Sequence, residues 1–214
     1  MIIPKLHYIS QGSSTKEHLE NIQKACTSGS ELVQLRLKNV TEKTFLKIAD
    51  EAREITAHFQ TRLIINDAYK IAKAVKADGV HLGKTDTCPT EARKYLYTWQ
   101  MIGGTANTIR QCKDLITKEV DYISLGPYQF TTTKENIPAV LGLKGYSEIN
   151  DALITKTPII AVGGITTDDV TAILATGISG IAVSGAITKN FNAIRTFNQL
   201  LNASATAEQP YMFE

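Results

Sequence analysis

The sequence predicts an α/β protein of the TIM (β/α)8 barrel class, and three observations lead to this prediction. Segments typical of strands and helices alternate along nearly the whole chain, in eight pairs. Polar and charged residues follow the apolar strand segments, as expected where the loops at one rim of a barrel form a site. The first strand-to-helix turn, residues 10–13, lacks the GxGxxG pattern of a doubly wound open sheet, which is the competing α/β architecture.

The predicted strands are short segments that are apolar or alternate between apolar and polar residues. They are Lys5–Ser10, Glu31–Leu37, Leu63–Ile65, Gly79–Leu82, Gln100–Ala106, Tyr122–Gly126, Pro158–Val162 and Gly180–Val183. The predicted helices carry apolar residues three or four positions apart. They are Thr15–Ser28, Thr41–Phe59, a short segment around Ile71–Val75, Pro89–Tyr97, Thr108–Lys118, Tyr146–Leu153, Thr167–Thr176 and Phe191–Leu201. We expect a single domain over residues 1–214, in which residues 203–214 form a polar C-terminal tail.

Composition excludes several classes of partner. The 214 residues are 43% hydrophobic and 21% charged, and 23 basic against 21 acidic residues give a net charge of +2. Because basic and acidic residues are nearly equal in number, the net charge does not indicate binding to nucleic acid or to a membrane surface. The three cysteines are scattered without a CxxC pair, and the N-terminus resembles neither a signal peptide nor a membrane span. We therefore expect a cytoplasmic protein with reduced thiols. The sequence does not decide whether the protein is a monomer or a homo-oligomer.

Two aspartates stand just past the ends of neighbouring predicted strands. The stretch from Leu63 to Asp86 is a strand–helix–strand unit, so its two strands are parallel and end on the same side of the sheet. Asp67 follows the first of these strands and Asp86 the second, which brings both carboxylates to one rim. Paired carboxylates suit a hard cation such as Mg²⁺. The alternative is that each aspartate merely caps the helix that follows it.

Cationic residues are expected at the same rim. Alternation in the second strand sends Gln34, Arg36 and Lys38 to one side and the intervening leucines to the other. The loop after the sixth strand contains three threonines followed by Lys134, which can wrap a polyphosphate and act as a lid. The alternatives are a strand edge whose charges reach solvent and an ordinary solvated loop.

Glycines follow the last two strands. Gly163-Gly164 follows the seventh strand and Ser184-Gly185 the eighth, where this barrel recurrently binds a phosphate through backbone amides. The alternative is a pair of tight strand-to-helix turns. A diphosphate site beside a separate monophosphate site indicates a reaction with two phosphorylated participants. No nucleophile–histidine–acid set is evident, so the chemistry depends on positioning and charge stabilisation.

The motifs QLRLK, LIIND, ADGVHLGKTD, IGGTA, GPYQFTTTK, AVGGI and AVSGAI follow in this order over about residues 5 to 201. In order and spacing they resemble the thiamine-phosphate synthase (thiamine-phosphate pyrophosphorylase) family. The resemblance implies a TIM barrel transferase that joins hydroxymethylpyrimidine diphosphate to hydroxyethylthiazole phosphate and releases pyrophosphate. It also implies a dissociative course, in which pyrophosphate leaves before the thiazole nitrogen attacks.

The same resemblance implies a role for each matching residue. Asp67 and Asp86 would bind Mg²⁺. Arg36, Lys38 and Lys134 would be catalytic. The residues that would hold the pyrimidine diphosphate are Gln34, Arg36, Lys38, Asn66, Thr105 and Lys134, and those that would hold the thiazole phosphate are Thr131, Thr133, Gly164, Ser184 and Gly185.

Two alternatives to the synthase stay open. A thiazole tautomerase of the same fold needs no diphosphate or metal and tends to lack the second aspartate and the loop lysine, whereas Asp86 and Lys134 are present here. A non-catalytic phosphate-binding barrel would bind ligands without turnover. The chain also departs from the family pattern, because Gln129-Phe130 replaces a usual Phe-Pro and VSGAI replaces VVSAI.

Overall fold

The computed structural model describes residues 2–131 and 139–203, and within them the eight predicted strands form a closed parallel barrel in chain order. The strands are β1 (Leu6–Ile9), β2 (Leu32–Leu35), β3 (Arg62–Asn66), β4 (Gly79–Leu82), β5 (Met101–Ala106), β6 (Tyr122–Leu125), β7 (Ile159–Val162) and β8 (Gly180–Val183). The barrel closes because β8 pairs in parallel with β1, with Leu6 opposite Ile181. The predicted TIM barrel is confirmed.

The helices lie between the strands along the chain. They are α1 (Thr15–Thr27), α2 (Glu42–His58), α3 (Tyr69–Ala74), α4 (Pro89–Tyr95), α5 (Ile109–Thr117), α6 (Gly142–Asp151), α7 (Val170–Ala175), α8 (Gly185–Lys189) and α9 (Ala193–Ala203), and a short 3-10 helix, Thr167–Asp169, precedes α7. Ser14 caps α1 by accepting a hydrogen bond from the Glu17 N–H. Cys88 occupies the N-cap position of α4, and Pro89 lies in its first turn.

Strand residues alternate between two buried layers. One set packs against the helices, and the other fills the barrel interior, where Leu32, Ile64, Met101, Tyr122, Ile160 and Ala182 form a single apolar cluster. Because side chains repeat every second residue, the next inward positions toward the carboxyl ends of β2, β3, β4 and β6 are polar, namely Gln34, Asn66, His81 and Ser124. The barrel is therefore apolar at its centre and polar toward its C-terminal rim.

Tyr122 lies between the apolar centre of the barrel and the polar layer at its C-terminal rim. Its ring lies edge-on to His7, with centroids 5.0 Å apart, and stacks on His81 at 5.6 Å. Gly103 on the neighbouring strand makes room for the ring, since a Cβ atom there would come within 2.1 Å of Tyr122 Cζ. Tyr122 thus connects the barrel centre to the polar layer at the rim.

Candidate active site

Asp67 and Asp86 come together at the C-terminal rim. Asp67 follows β3, and its N–H donates to the His81 carbonyl on β4 at 2.8 Å. Burial raises the pKa of the Asp67 carboxyl, and the nearby charge of Asp86 raises it further. Neither carboxylate forms an ion pair with another described residue. The two aspartates thus share one space and repel each other.

The helix-capping alternative fails for both aspartates. Ala68 is the N-cap of α3 and makes no side-chain capping bond, and Cys88 holds that position in α4. Asp86 instead closes its own turn, because its Oδ2 accepts a hydrogen bond from the Gly83 N–H at 2.6 Å. Asp67 adopts a left-handed backbone with φ of 65°, a conformation that costs a non-glycine residue about 1 kcal/mol or more and tends to occur at functional sites.

Arg36 and Lys38 lie past the end of β2. Arg36 is half-buried, and burial lowers the pKa of its guanidinium while the charge of Asp86 opposes that shift. Lys38 is exposed. Both line a cavity of about 470 Å³ whose walls are residues 10–15, His18 and residues 36–40. Arg36 therefore both lines a cationic cavity and interacts with the charge of Asp86.

Gln34, Asn66 and Thr105, the other described residues predicted for the pyrimidine diphosphate, lie on inward positions of the strands. Gln34 is only 3% exposed, on β2, and Asn66 ends β3 directly before Asp67. Thr105 on β5 is bonded through its Oγ1 to His81 Nε2 at 2.8 Å, and His81 Nδ1 lies 3.2 Å from the Tyr122 hydroxyl. His81 therefore orients Thr105.

The turn after β7 has the backbone conformation that glycine permits. Gly163 and Gly164 have φ of 103° and 71°, and a Cβ atom on Gly164 would come within 2.9 Å of the Phe130 carbonyl oxygen. The loop after β6 rests on this turn, because the Gln129 N–H donates to the Gly163 carbonyl at 3.0 Å. Close backbone packing therefore requires glycine at this turn.

Ser184 and Gly185 lie beside this turn, after β8. The Ser184 hydroxyl oxygen is buried and has no hydrogen-bond partner among the described residues, and Gly185 opens α8. A buried hydroxyl without a partner is unfavourable, so a ligand oxygen at this position would satisfy it.

Thr131 ends the first described stretch and is partly buried, whereas the predicted residues Thr133 and Lys134 lie outside the described residues.

Sequence reasoning missed three residues that support the rim, which are Ser10, His18 and Tyr122. His18 shares the buried face of α1 with Ile22 and Ala25, and this helical spacing was the signal that could have placed it inside. Ser10 offered no such signal, because its role depends on where β1 ends.

Known proteins agree with this architecture. A closed parallel barrel with polar side chains and a glycine turn at its C-terminal rim is typical of barrel enzymes that act on phosphorylated substrates. A family model described as thiamine monophosphate synthase matches residues 6–187, and the chain belongs to that family. No helix among the described residues is long and apolar enough to cross a membrane.

Individual relatives cover nearly the whole chain. The chain is 43% identical over 199 residues to the thiamine-phosphate synthase of Flavobacterium psychrophilum, which covers 92% of this chain and 97% of the relative. The corresponding protein of Bacteroides fragilis is 37% identical over 201 residues, covering 92% and 98%. Among solved structures, the thiamine phosphate pyrophosphorylase from Pyrococcus furiosus superposes with a TM-score of 0.81 at 26% identity, covering 94% of this chain and 96% of that one.

Proposed function

We propose that this chain is a transferase of thiamine biosynthesis that couples hydroxymethylpyrimidine diphosphate with hydroxyethylthiazole phosphate, giving thiamine phosphate and pyrophosphate. The observation that carries the proposal is the pair of interacting carboxylates, Asp67 and Asp86, with the half-buried Arg36 near Asp86. The glycine turn at Gly163 and Gly164 is a separate feature and suits the phosphate of the second substrate. Membership of the family agrees with this assignment.

The reaction exchanges one bond at the pyrimidine methylene carbon. The bond from this carbon to the diphosphate oxygen breaks, and the diphosphate leaves with the electron pair. The aminopyrimidine ring supports the resulting methylene cation, and the lone pair of the thiazole nitrogen then forms the new carbon–nitrogen bond. These steps require no proton transfer from the protein, so positioning and charge stabilisation are the main tasks of the site.

Mg²⁺ fits the pair formed by Asp67 and Asp86. The charge of Asp86 raises the pKa of Asp67, so the doubly ionised pair is unfavourable alone and favourable around a divalent cation. The described residues contain no group of three or more histidine, cysteine or acidic side chains able to hold a metal. Two carboxylates are nevertheless enough, because Mg²⁺ usually takes its other ligands from water and substrate phosphates. Bound there, it would neutralise charge on the departing diphosphate.

The cationic side chains hold the diphosphate from the other side. Arg36 presents a planar guanidinium that can bind two phosphate oxygens at once, and Lys38 adds a second charge at the cavity wall. Lys134 is proposed as the third catalytic cation. Gln34 on β2 and Asn66 at the end of β3 offer amide groups on inward strand positions, and they would hold the aminopyrimidine ring and the first phosphate. Thr105, oriented by His81, completes this set.

The thiazole phosphate is assigned to the opposite part of the rim. Gly164, Ser184 and Gly185 would bind its phosphate, since the glycine backbone admits a close oxyanion and the buried Ser184 hydroxyl lacks a partner among the described residues. Thr131 and Thr133 would contact its ring from the loop after β6. The two substrates would then approach each other across the mouth of the barrel.

One assay tests the proposal directly. The purified protein is incubated with both phosphorylated substrates, and pyrophosphate and thiamine phosphate are measured with Mg²⁺, with a chelator, and after Mg²⁺ is restored. We expect both products only when Mg²⁺ and both substrates are present. Isomerisation of the thiazole phosphate without use of the diphosphate would identify a tautomerase. Binding of both phosphates without turnover would identify a non-catalytic barrel, and either result would refute the proposal.

The setting of the enzyme is also proposed. The cysteines are free, two of them buried, which suits a reducing cytoplasm. Residues 1–214 are proposed as a single domain, although α9 extends to Ala203 and the predicted tail from 204 onward lies outside the described residues. Small molecules are the proposed partners, and size-exclusion chromatography with light scattering would decide between a monomer and a homo-oligomer.

A further inference from the structure

Ser10 holds the backbone of Arg36 in place. At the end of β1 the Ser10 N–H donates to the Gln34 carbonyl at 2.9 Å, which continues the pairing between β1 and β2. The chain of β1 then turns away, and the Ser10 hydroxyl takes over as the acceptor for the Arg36 N–H at 3.1 Å. A side chain thus extends the sheet by one hydrogen bond, at the residue whose guanidinium lines the cavity.

His18 completes this arrangement from α1. Its Nδ1 lies 2.8 Å from the Ser10 hydroxyl oxygen. The Ser10 hydroxyl has one hydrogen and two lone pairs, so it can accept from the Arg36 N–H and donate to His18 in the tautomer whose Nδ1 carries no hydrogen. Burial lowers the pKa of His18, with Glu17 and the Gly12 backbone opposing the shift, so the neutral ring is favoured. The buried His18 therefore fixes the rotation of the Ser10 hydroxyl.

We propose that Ser10 and His18 are positioning residues for Arg36, and that they hold its guanidinium toward the diphosphate in the cavity between the loops after β1 and β2. This inference rests on the proposed function, because Arg36 is assigned there to the diphosphate. Three elements converge on one backbone N–H in this arrangement: β1 through Ser10, β2 through Arg36 itself, and α1 through His18. A displacement of about 1 Å in such a group can reduce a rate by as much as about a hundredfold.

The purely structural alternative makes a different prediction. If the Ser10 hydroxyl only satisfied a backbone donor, its removal would destabilise the fold and leave each folded molecule fully active. Ser30 supplies a matched control at the opposite end of β2. It is also buried, and its hydroxyl donates to the Leu32 carbonyl at 3.1 Å, far along the strand from Arg36.

The experiment compares Ser10→Ala, Ser10→Thr, His18→Leu and His18→Asn with the control Ser30→Ala. Threonine keeps the hydroxyl, and asparagine can place an acceptor near the position of Nδ1. We measure the Michaelis constant for each substrate, kcat, and the affinity for inorganic pyrophosphate with Mg²⁺ by calorimetry. Thermal unfolding gives the folded fraction.

Ser10→Ala and His18→Leu are expected to weaken pyrophosphate binding and kcat/KM for the diphosphate substrate about tenfold. The KM for the thiazole phosphate should not change, and Ser10→Thr and His18→Asn should restore most of the loss. Equal activity per folded molecule in Ser10→Ala and Ser30→Ala would overturn the inference. If the wild type releases no pyrophosphate, the proposed function fails, and the pyrophosphate affinities of the same variants still decide the role of Ser10 and His18.

Discussion

Acid is expected to destabilise the barrel through His7, which lies at the barrel centre. His7 is 1% exposed, and its Nε2–H donates to the Pro4 carbonyl at 3.0 Å. Its Nδ1 is buried without a partner among the described residues, so a proton added there would have no acceptor. Burial chiefly, and the charge of Arg62 in addition, lowers the pKa of His7 from 6.5 to about 4. The folded protein therefore binds this proton more weakly than the unfolded chain does.

The sign and size of the effect follow from this difference. Above pH 6.5 the histidine is neutral in both states and stability does not depend on it. As the pH falls through 6.5, His7 becomes protonated in the unfolded chain but stays neutral in the folded protein, so the free energy of unfolding falls until the pH reaches about 4. At 1.36 kcal/mol per pKa unit, the full loss is about 3 kcal/mol, and about 2.5 kcal/mol of it is present at pH 4.5. Losses of this size are a large part of a typical free energy of unfolding.

Urea unfolding of the wild type and of His7→Gln, measured between pH 7.5 and 4.5, tests this reasoning. Glutamine can keep the N–H that donates to Pro4 and does not titrate. Other groups titrate in both proteins, so the difference between the two pH profiles isolates His7. We expect the wild type to lose about 2.5 kcal/mol more than the variant between these limits. Parallel profiles would refute the claim that His7 is held neutral by burial.

Four substitutions separate the roles of the C-terminal rim from those of the rest of the barrel. Asp67→Asn should reduce the rate of pyrophosphate release at least about a hundredfold, which is the usual loss when a key electrostatic group is removed, and should not lower the unfolding temperature. The control Asp121→Asn should lower stability and leave activity per folded molecule intact. Gly103→Ala should cost about 1–3 kcal/mol in urea unfolding, because its Cβ would overlap Tyr122; an unchanged midpoint would contradict the packing described here. Gly164→Ala should raise the KM for the thiazole phosphate and leave the KM for the diphosphate unchanged, since φ of 71° disfavours alanine. Equal increases in both KM values would contradict the assignment of this turn to the thiazole phosphate alone.

The fold could be predicted because its signals repeat. Each strand is short and apolar, and each long helix carries a regular stripe, so eight units emerge from the sequence alone. The prediction failed where the local signal is weak. The sequence predicts that the helix before β7 begins at Tyr146, whereas α6 begins at Gly142. Two glycines in its first turns lower the helix propensity there, so the sequence does not reveal the true start. We missed α8, Gly185–Lys189, because five residues are too few to show a helical period.

The site could be predicted only in part, because some of its contacts depend on where strands stop. Sequence alternation extended the second strand to Leu37, whereas β2 ends at Leu35. The next N–H, that of Arg36, is bound by a serine hydroxyl that lies 26 residues earlier in the chain. No local pattern encodes such a pairing, because it depends on the register between β1 and β2 and on the point where β1 turns away.

Aspartates at the two ends of the barrel show how one residue type serves both stability and function. Asp78 and Asp121 directly precede β4 and β6, and each binds an arginine, at 2.5 Å and 2.6 Å, together with a backbone N–H of the neighbouring strand. Both charges are therefore satisfied within the fold. Asp67 and Asp86 follow the strands instead, and among the described residues they have no ion-pair partner and repel each other. Asp78 and Asp121 therefore stabilise the barrel. The repulsion between Asp67 and Asp86, near an Arg36 that is assigned to the diphosphate, agrees with the cation site proposed at the C-terminal rim.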